Sequence, residues 1–219
     1  MKKILVVSPH PDDETLGAGG TLLKKKSDGS EIFWLNFTNL KEKYGFTKEQ
    51  TEKRAKEIIM VAKSYGFSDF KNLELEPAGL DKYSKAEIID KVIDYIKSLK
   101  PDTILLPHRD DVHSDHKFVF DTVYACTKIF RYPYIKKILT MEIISETDFS
   151  FRNSFTPNYF VDISEYIEKK IEIMKIYKSE ISFHPFPRNE ENIRALALYR
   201  GSLANVMYAE AFNIIKFVE

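Results

Sequence analysis

Short apolar runs alternate with longer amphipathic stretches through the first two thirds of the chain. Ile4–Val7 is a β-branched run suited to a strand buried on both faces. Residues 13–26 carry a helical pattern that stops at Ser27-Asp28-Gly29, and 32–37 reads as a second strand. Thr47, with Gln50 at capping-box spacing, opens a long helix toward Gly66. Its expected apolar stripe is Ala55, Ile58, Ile59, Ala62 and Tyr65. Residues 73–75 form a short strand. Ser84, with Glu87 three residues on, opens a helix that buries Ile88, Ile89, Val92, Ile93, Ile96 and Leu99 and ends at Pro101. A strand at 103–106, a helix over about 115–130 and a fifth strand at 138–144 complete this part.

Beyond residue 146 the periodicity weakens. A strand at 159–162 and a helix at 164–177, with Ile167, Ile171, Met174 and Tyr177 facing inward, are expected, then a loop at 183–187. A last helix spans 190–203, with Gly201 marking its end or a bend. No composition break or repeat divides the chain, so 1–219 reads as one domain. The β-α-β-α order predicts a Rossmann-like three-layer α/β/α sandwich around a mainly parallel sheet. In such sheets ligands bind beyond the carboxyl ends of the strands, at the switch point in strand order.

Composition then removes several function classes. Hydrophobic residues at 43 % and charged residues at 30 % are ordinary for a globular chain, which excludes disordered and coiled-coil readings. Thirty-three basic and 33 acidic residues balance to zero, against a broad nucleic-acid surface. The single cysteine, Cys126, allows neither an intrachain disulfide nor a CxxC site, and reads as a small buried apolar residue inside a helix. The apolar run at 4–7 is too short for a secretory core, and no stretch approaches the ~20 residues of a membrane span. A cytoplasmic protein without stable membrane insertion is expected.

The chemistry concentrates in two segments, each just after a strand. One is Ser8-Pro9-His10-Pro11-Asp12-Asp13-Glu14. The other is Pro107-His108-Arg109-Asp110-Asp111-Val112-His113-Ser114-Asp115-His116. Four of the five histidines lie in these two segments, which scattered surface histidines would not do. Mixed His and Asp donors suit a zinc ion, and a catalytic zinc needs only three protein ligands and an open position. Neighbouring parallel strands lie about 5 Å apart, so the two loops can meet. Asp12 is placed to act as general base, His113 as donor to a developing oxyanion, and Asp115 as the group that orients the His113 ring. Helix capping alone would account for one or two of the acids, but not for His10 between two prolines.

These residues resemble a known family. P-H-P-D-D-E after a first strand, with a later H-x-D-H, is similar to the zinc-dependent N-acetylglucosaminyl deacetylases of the PIG-L or LmbE-like family. Arg54-x-x-Glu57 followed by Ala62 and Gly66, then Arg200-Gly201 and Tyr208-Ala209-Glu210-x-Phe212, match further family stretches in the same order. The resemblance implies that His10, Asp13 and His116 are the zinc ligands, with iron as an alternative occupant in the cell. It implies Asp12 as general base, and His113 as oxyanion and leaving-group helper with Asp115 as its partner. Arg54 would contact substrate oxygens and Glu14 would brace the loop. The reaction implied is metal-assisted hydrolysis of the acetamide of a small amino-sugar conjugate, giving acetate and a free amine. One stretch departs from the pattern: where many members carry H-x-S-Q, this chain has Tyr177-Lys178-Ser179-Glu180, an extra carboxylate near the rim unless Glu180 is simply solvated.

The remaining features carry less. Gly17-Ala18-Gly19-Gly20 lacks the third glycine of a dinucleotide fingerprint, since position 22 is Leu, so close packing of the first helix is expected. His184 reads as a loop residue, with a substrate-side role as the alternative. Phe130, Tyr132 and Tyr134 read as core, with sugar stacking or a subunit contact as the alternative. A homo-oligomer is compatible with the sequence. Two other classes stay open: a non-catalytic sugar- or metal-binding protein on the same fold, and a metal phosphoesterase, which would want a second metal and more bridging carboxylates.

Overall fold

A computed structural model of the chain describes residues 2–151 and 155–219. The strands β1 (Lys3–Ser8), β2 (Glu31–Thr38), β3 (Asp69–Leu75), β4 (Thr103–Leu106), β5 (Lys137–Met141), β6 (Tyr159–Asp162) and β7 (Ala209–Phe217) form one sheet. Their order is β3-β2-β1-β4-β5-β7-β6. The first five are mutually parallel, and β7 runs antiparallel to both of its neighbours. The helices are α1 (Asp13–Ser27), α2 (Lys48–Tyr65), α3 (Lys85–Leu99), α4 (Ser114–Ala125), α5 (Ile167–Met174) and α6 (Glu190–Ala204).

Alternation along β1 divides the core. Ile4 and Val6 enter the cluster shared with α1, α2, α5 and α6, whereas Leu5 and Val7 enter the cluster shared with α3 and α4. These are the two outer layers of the expected sandwich. The chain leaves β1 for β2 over one face and reaches β4 over the other. A crevice therefore opens at the carboxyl ends of β1 and β4, where both polar loops lie.

α2 is capped as its sequence predicts. The Thr47 hydroxyl accepts from the Gln50 amide, the Gln50 side chain returns to the Thr47 amide, and Gly66 closes the helix in the left-handed region at φ 62°. Gly17 and Gly20 let α1 lie close on its neighbours. A Cβ at Gly17 would stand 2.8 Å from Met141 Cβ on β5, and one at Gly20 would stand 2.7 Å from Ile163 Cγ2.

Several expectations are corrected. Ala55 and Ile59 face solvent, and the buried side of α2 is Arg54, Glu57, Ile58, Val61, Ala62 and Tyr65, because its first turns turn a charged pair toward the crevice. α4 ends at Ala125 rather than near residue 130, so Cys126 is its buried C-cap and not a mid-helix residue. Phe130 is exposed while Tyr132 is buried. β5 stops at Met141, and α5 is two turns long, although the four residues expected to face inward are all buried. Gly201 does not end α6, which runs on to Ala204. It sits within that helix because the Val206 and Met207 carbonyls pass 2.6 Å from where its Cβ would be.

Candidate active site

The loop from β1 to α1 turns sharply. Asp12 has φ 141°, a conformation a side-chain-bearing residue rarely adopts and one that costs of order 1–3 kcal/mol. Its amide donates to Glu14 Oε2 at 3.0 Å. Glu14 Oε1 accepts from Thr15 Oγ1 at 2.7 Å and from the Tyr177 hydroxyl at 2.9 Å. Burial pushes the Glu14 carboxyl up to about 7 against the pull of these hydrogen bonds. Thr38, at the end of β2, donates its hydroxyl to the Pro9 carbonyl at 2.8 Å and holds the loop from the other side.

His10, Asp13 and His116 bring one donor atom each within 4.8 Å of one another. Asp13 Oδ2 lies 3.3 Å from His10 Nδ1 and 3.3 Å from His116 Nε2. Donors about 2.0–2.1 Å from a tetrahedral zinc would stand about 3.3–3.4 Å apart, so the residues fit such an ion. The second ring nitrogen of each histidine is already engaged. His116 Nδ1 lies 2.7 Å from Asp111 Oδ2, while its buried Nε2 has no hydrogen-bond partner among the described residues. His10 Nε2 lies 3.0 Å from Asp115 Oδ2. This is how protein groups aim imidazole lone pairs at a metal. Burial alone would lower the His10 pKa, but Asp115 and Asp13 outweigh it and carry it up to about 9. For His116, burial is likewise overcome by Asp13 and Asp111. The cluster thus holds excess negative charge suited to a cation, for which protons and metal compete.

Asp115 departs from its expected role. Its carboxylate accepts from the Ala78 amide at 2.7 Å and the Leu80 amide at 3.1 Å and meets His10; it reaches His113 through its own backbone N–H, which donates to His113 Nδ1 at 3.1 Å. The residue therefore orients His10 as well as the turn at 78–80. His10, His113 and Asp115 form a second donor group, but it shares His10 with the first. With Nδ1 accepting, a neutral His113 carries its proton on Nε2. Burial, then repulsion from His10, lowers its pKa to about 4, which keeps the ring neutral.

Asp12 is 2 % exposed. Its Oδ1 has no partner among the described residues, and its Oδ2 pairs with Arg188 Nη1 at 2.7 Å. Burial and the adjacent Asp13 push its carboxyl well above the usual carboxylate range, and Arg188 pulls it back. Arg188 also meets Glu146 Oε1 and Glu180 Oε2, each at 3.3 Å, and Ser145 Oγ at 2.8 Å. Arg54 is buried; it binds Glu57 at 3.1 Å, Ser179 Oγ at 2.8 Å, the Pro11 carbonyl at 3.3 Å, and Glu180. A cleft of about 230 Å³ is lined by Asp12, Arg54, Glu146, Glu180 and Arg188 with His10, His113 and Asn39. Glu180 is therefore not a solvated rim residue. His184 is exposed and does not line the cleft. Sequence reasoning missed Arg188 and Glu146, since each is a single charge in an aperiodic loop, and the Pro-rich run before Arg188 signals only the loop.

The family model for PIG-L, GlcNAc-PI de-N-acetylase, matches residues 5–127. The chain belongs to the PIG-L family. Diacetylchitobiose deacetylase from Thermococcus kodakarensis is 26 % identical over 233 residues, covering 98 % of this chain and 84 % of that relative. The conserved protein TT1542 from Thermus thermophilus superposes with a TM-score of 0.80 at 26 % identity, covering 100 % of this chain and 97 % of that one. The N,N'-diacetylchitobiose deacetylase of Pyrococcus horikoshii, solved with an inhibitor, gives 0.79 at 24 % identity over 98 % and 84 % of the two chains, a likeness of fold. As a PIG-L member the protein is an enzyme of the amide-hydrolase type, which removes the pure binding-protein reading. At the level of the family the activity is deacetylation of N-acetylglucosamine-type sugars. Among the described residues no helix is long and apolar enough to cross a membrane.

Proposed function

We propose that this protein is a zinc-dependent N-deacetylase of a small N-acetylglucosamine conjugate, with His10, Asp13 and His116 holding the metal. Iron is the competing occupant, since the same donors accept it. The observation that carries the reading is the buried three-donor cluster, whose His10 lines one cleft together with Asp12 and His113. The metal would supply a Lewis acid for the acetamide carbonyl and make water acidic. Asp12 takes the proton of the attacking water, its carboxylate held by Arg188 and its backbone by Glu14. His113 donates from Nε2 to the oxyanion as the tetrahedral centre forms. The proton gained by Asp12 passes to the sugar nitrogen, the C–N bond breaks, and acetate and a free amine leave.

The test is release of primary amine from N,N'-diacetylchitobiose by zinc-loaded enzyme, with Asp12→Ala alongside. Wild type should release amine; the variant should keep its zinc and lose roughly a hundredfold or more in kcat, the scale of a lost general base. Equal turnover by Asp12→Ala would overturn the base assignment, and a wild type inert on a panel of N-acetylated sugars would overturn the substrate class.

A further inference from the structure

Two guanidinium groups reach the cleft, and both are almost used up. A guanidinium has five N–H donors. Arg54 directs Nε to Glu57, Nη1 to the Pro11 carbonyl, and Nη2 to both Ser179 and Glu180. Arg188 directs Nε to Ser145, Nη1 to Asp12 and Glu180, and Nη2 to Glu146. Glu180 is the only carboxylate among these that bridges the two arginines. Its side chain is 25 % exposed, so it also faces the space a ligand would enter. Four carboxylates, Asp12, Glu57, Glu146 and Glu180, surround two cations.

We infer that Glu180 is a specificity-determining residue: it occupies the arginine pair as an internal anion, so the cleft accepts uncharged amino-sugar conjugates and rejects phosphorylated or carboxylated ones. A phosphate or carboxylate on the aglycone finds no free guanidinium fork. It must displace Glu180 and then lie beside it, and like charges so placed are a means of rejecting wrong partners. A neutral glycan needs no such exchange. It can hydrogen-bond through hydroxyls to the outer carboxylate oxygens while the ion pairs stay closed. The inference rests on the deacetylase reading of the cleft, and names the substrate class within it.

The experiment compares zinc-loaded wild type with Glu180→Gln, and with Glu180→Ala should the first fail to fold, on two ligands. These are N,N'-diacetylchitobiose, neutral, and N-acetylglucosamine 6-phosphate, anionic. Both kcat/KM and calorimetric affinity are read. The wild type should favour the neutral sugar, and removing the Glu180 charge should raise the anionic-to-neutral ratio by roughly tenfold or more, mainly through KM and affinity. Adding Arg188→Gln to Glu180→Gln should cut the gain, because Arg188 is one of the two guanidinium groups that the loss of Glu180 frees. A ratio unmoved by the Glu180 variants, or a wild type that favours the phosphate, overturns the inference. If neither ligand is turned over but the affinity ratio shifts as stated, the role of Glu180 stands, and the panel of N-acetylated sugars decides the deacetylase reading separately.

Discussion

Asp111 lies fully buried behind His116, accepting from Thr147 Oγ1 at 2.7 Å while it meets His116 Nδ1 at 2.7 Å. With the proton held on Nδ1, the Nε2 lone pair has only the Asp13 side of the cluster to face. Under the proposed ligand set Asp111→Ala should weaken zinc binding by about 10–100-fold, the usual loss when such an outer partner is removed, and leave the stoichiometry at one. Competition against a chromophoric chelator reads this directly; an unchanged affinity would mean that packing alone orients the ring. Asp111 stands in the His- and Asp-rich segment of the sequence, yet nothing in its spacing separates it from Asp110. The clusters His10–Asp13 and His113–His116 were legible because their chemistry is local. The partner of each ring was not, since Asp115 stands two residues from its expected target His113 and instead closes on His10 across 105 positions.

The helix α1 shows what an element requires from the rest of the fold. Lys170 on α5 donates to the Leu16 carbonyl at 2.8 Å and to Glu210 at 2.7 Å. Glu210 on β7 accepts from the Gly20 and Thr21 amides at 2.8 and 2.7 Å. A buried ion pair thus clamps one turn of α1, the turn whose glycines allow the close approach. Lys170→Met leaves Glu210 buried without its cation and should lower unfolding stability by about 3–5 kcal/mol, measured by urea denaturation. A loss below about 1 kcal/mol would show that the two backbone amides satisfy Glu210 unaided. Elements with local signals were legible: the capped start of α2, the β-branched runs of β1 and β4, and the apolar face of α3. β7 was not anticipated as a strand. Its sequence, Ala-Glu-Ala-Phe-Asn-Ile-Ile-Lys-Phe, lacks a clean alternation, and it is a strand because it pairs antiparallel with β5 and β6, far off in sequence. α4 stops early because Thr127 and Ile129 are poor helix formers and Phe130 finds no core to bury in.

At the scale of the molecule the cleft is where seven separate parts of the chain converge: the β1–α1 loop, the stretch 38–46 after β2, Arg54 on α2, the turn at 77–78, His113 at the start of α4, Glu146 and the segment 180–188. Asp12, Asp13 and Glu146 are all buried there, so the native state concentrates negative charge that the unfolded chain would disperse. A divalent cation that binds only the folded arrangement must therefore stabilise the whole domain, by about 2.7 kcal/mol when free metal stands at a hundred times its dissociation constant. For a chain of this size each kcal/mol moves the melting temperature by about 2–4 °C, so zinc saturation should raise Tm by about 5–11 °C over the chelated protein. Dialysis against EDTA, followed by zinc, should lower and then restore Tm in calorimetry. His116→Ala should melt near the chelated value and ignore added zinc. Were chelation to leave the wild-type Tm in place, the carboxylates would have to be held by protons and by Arg188 alone, and the three-donor cluster would be a hydrogen-bonded cap on α1 rather than a metal centre.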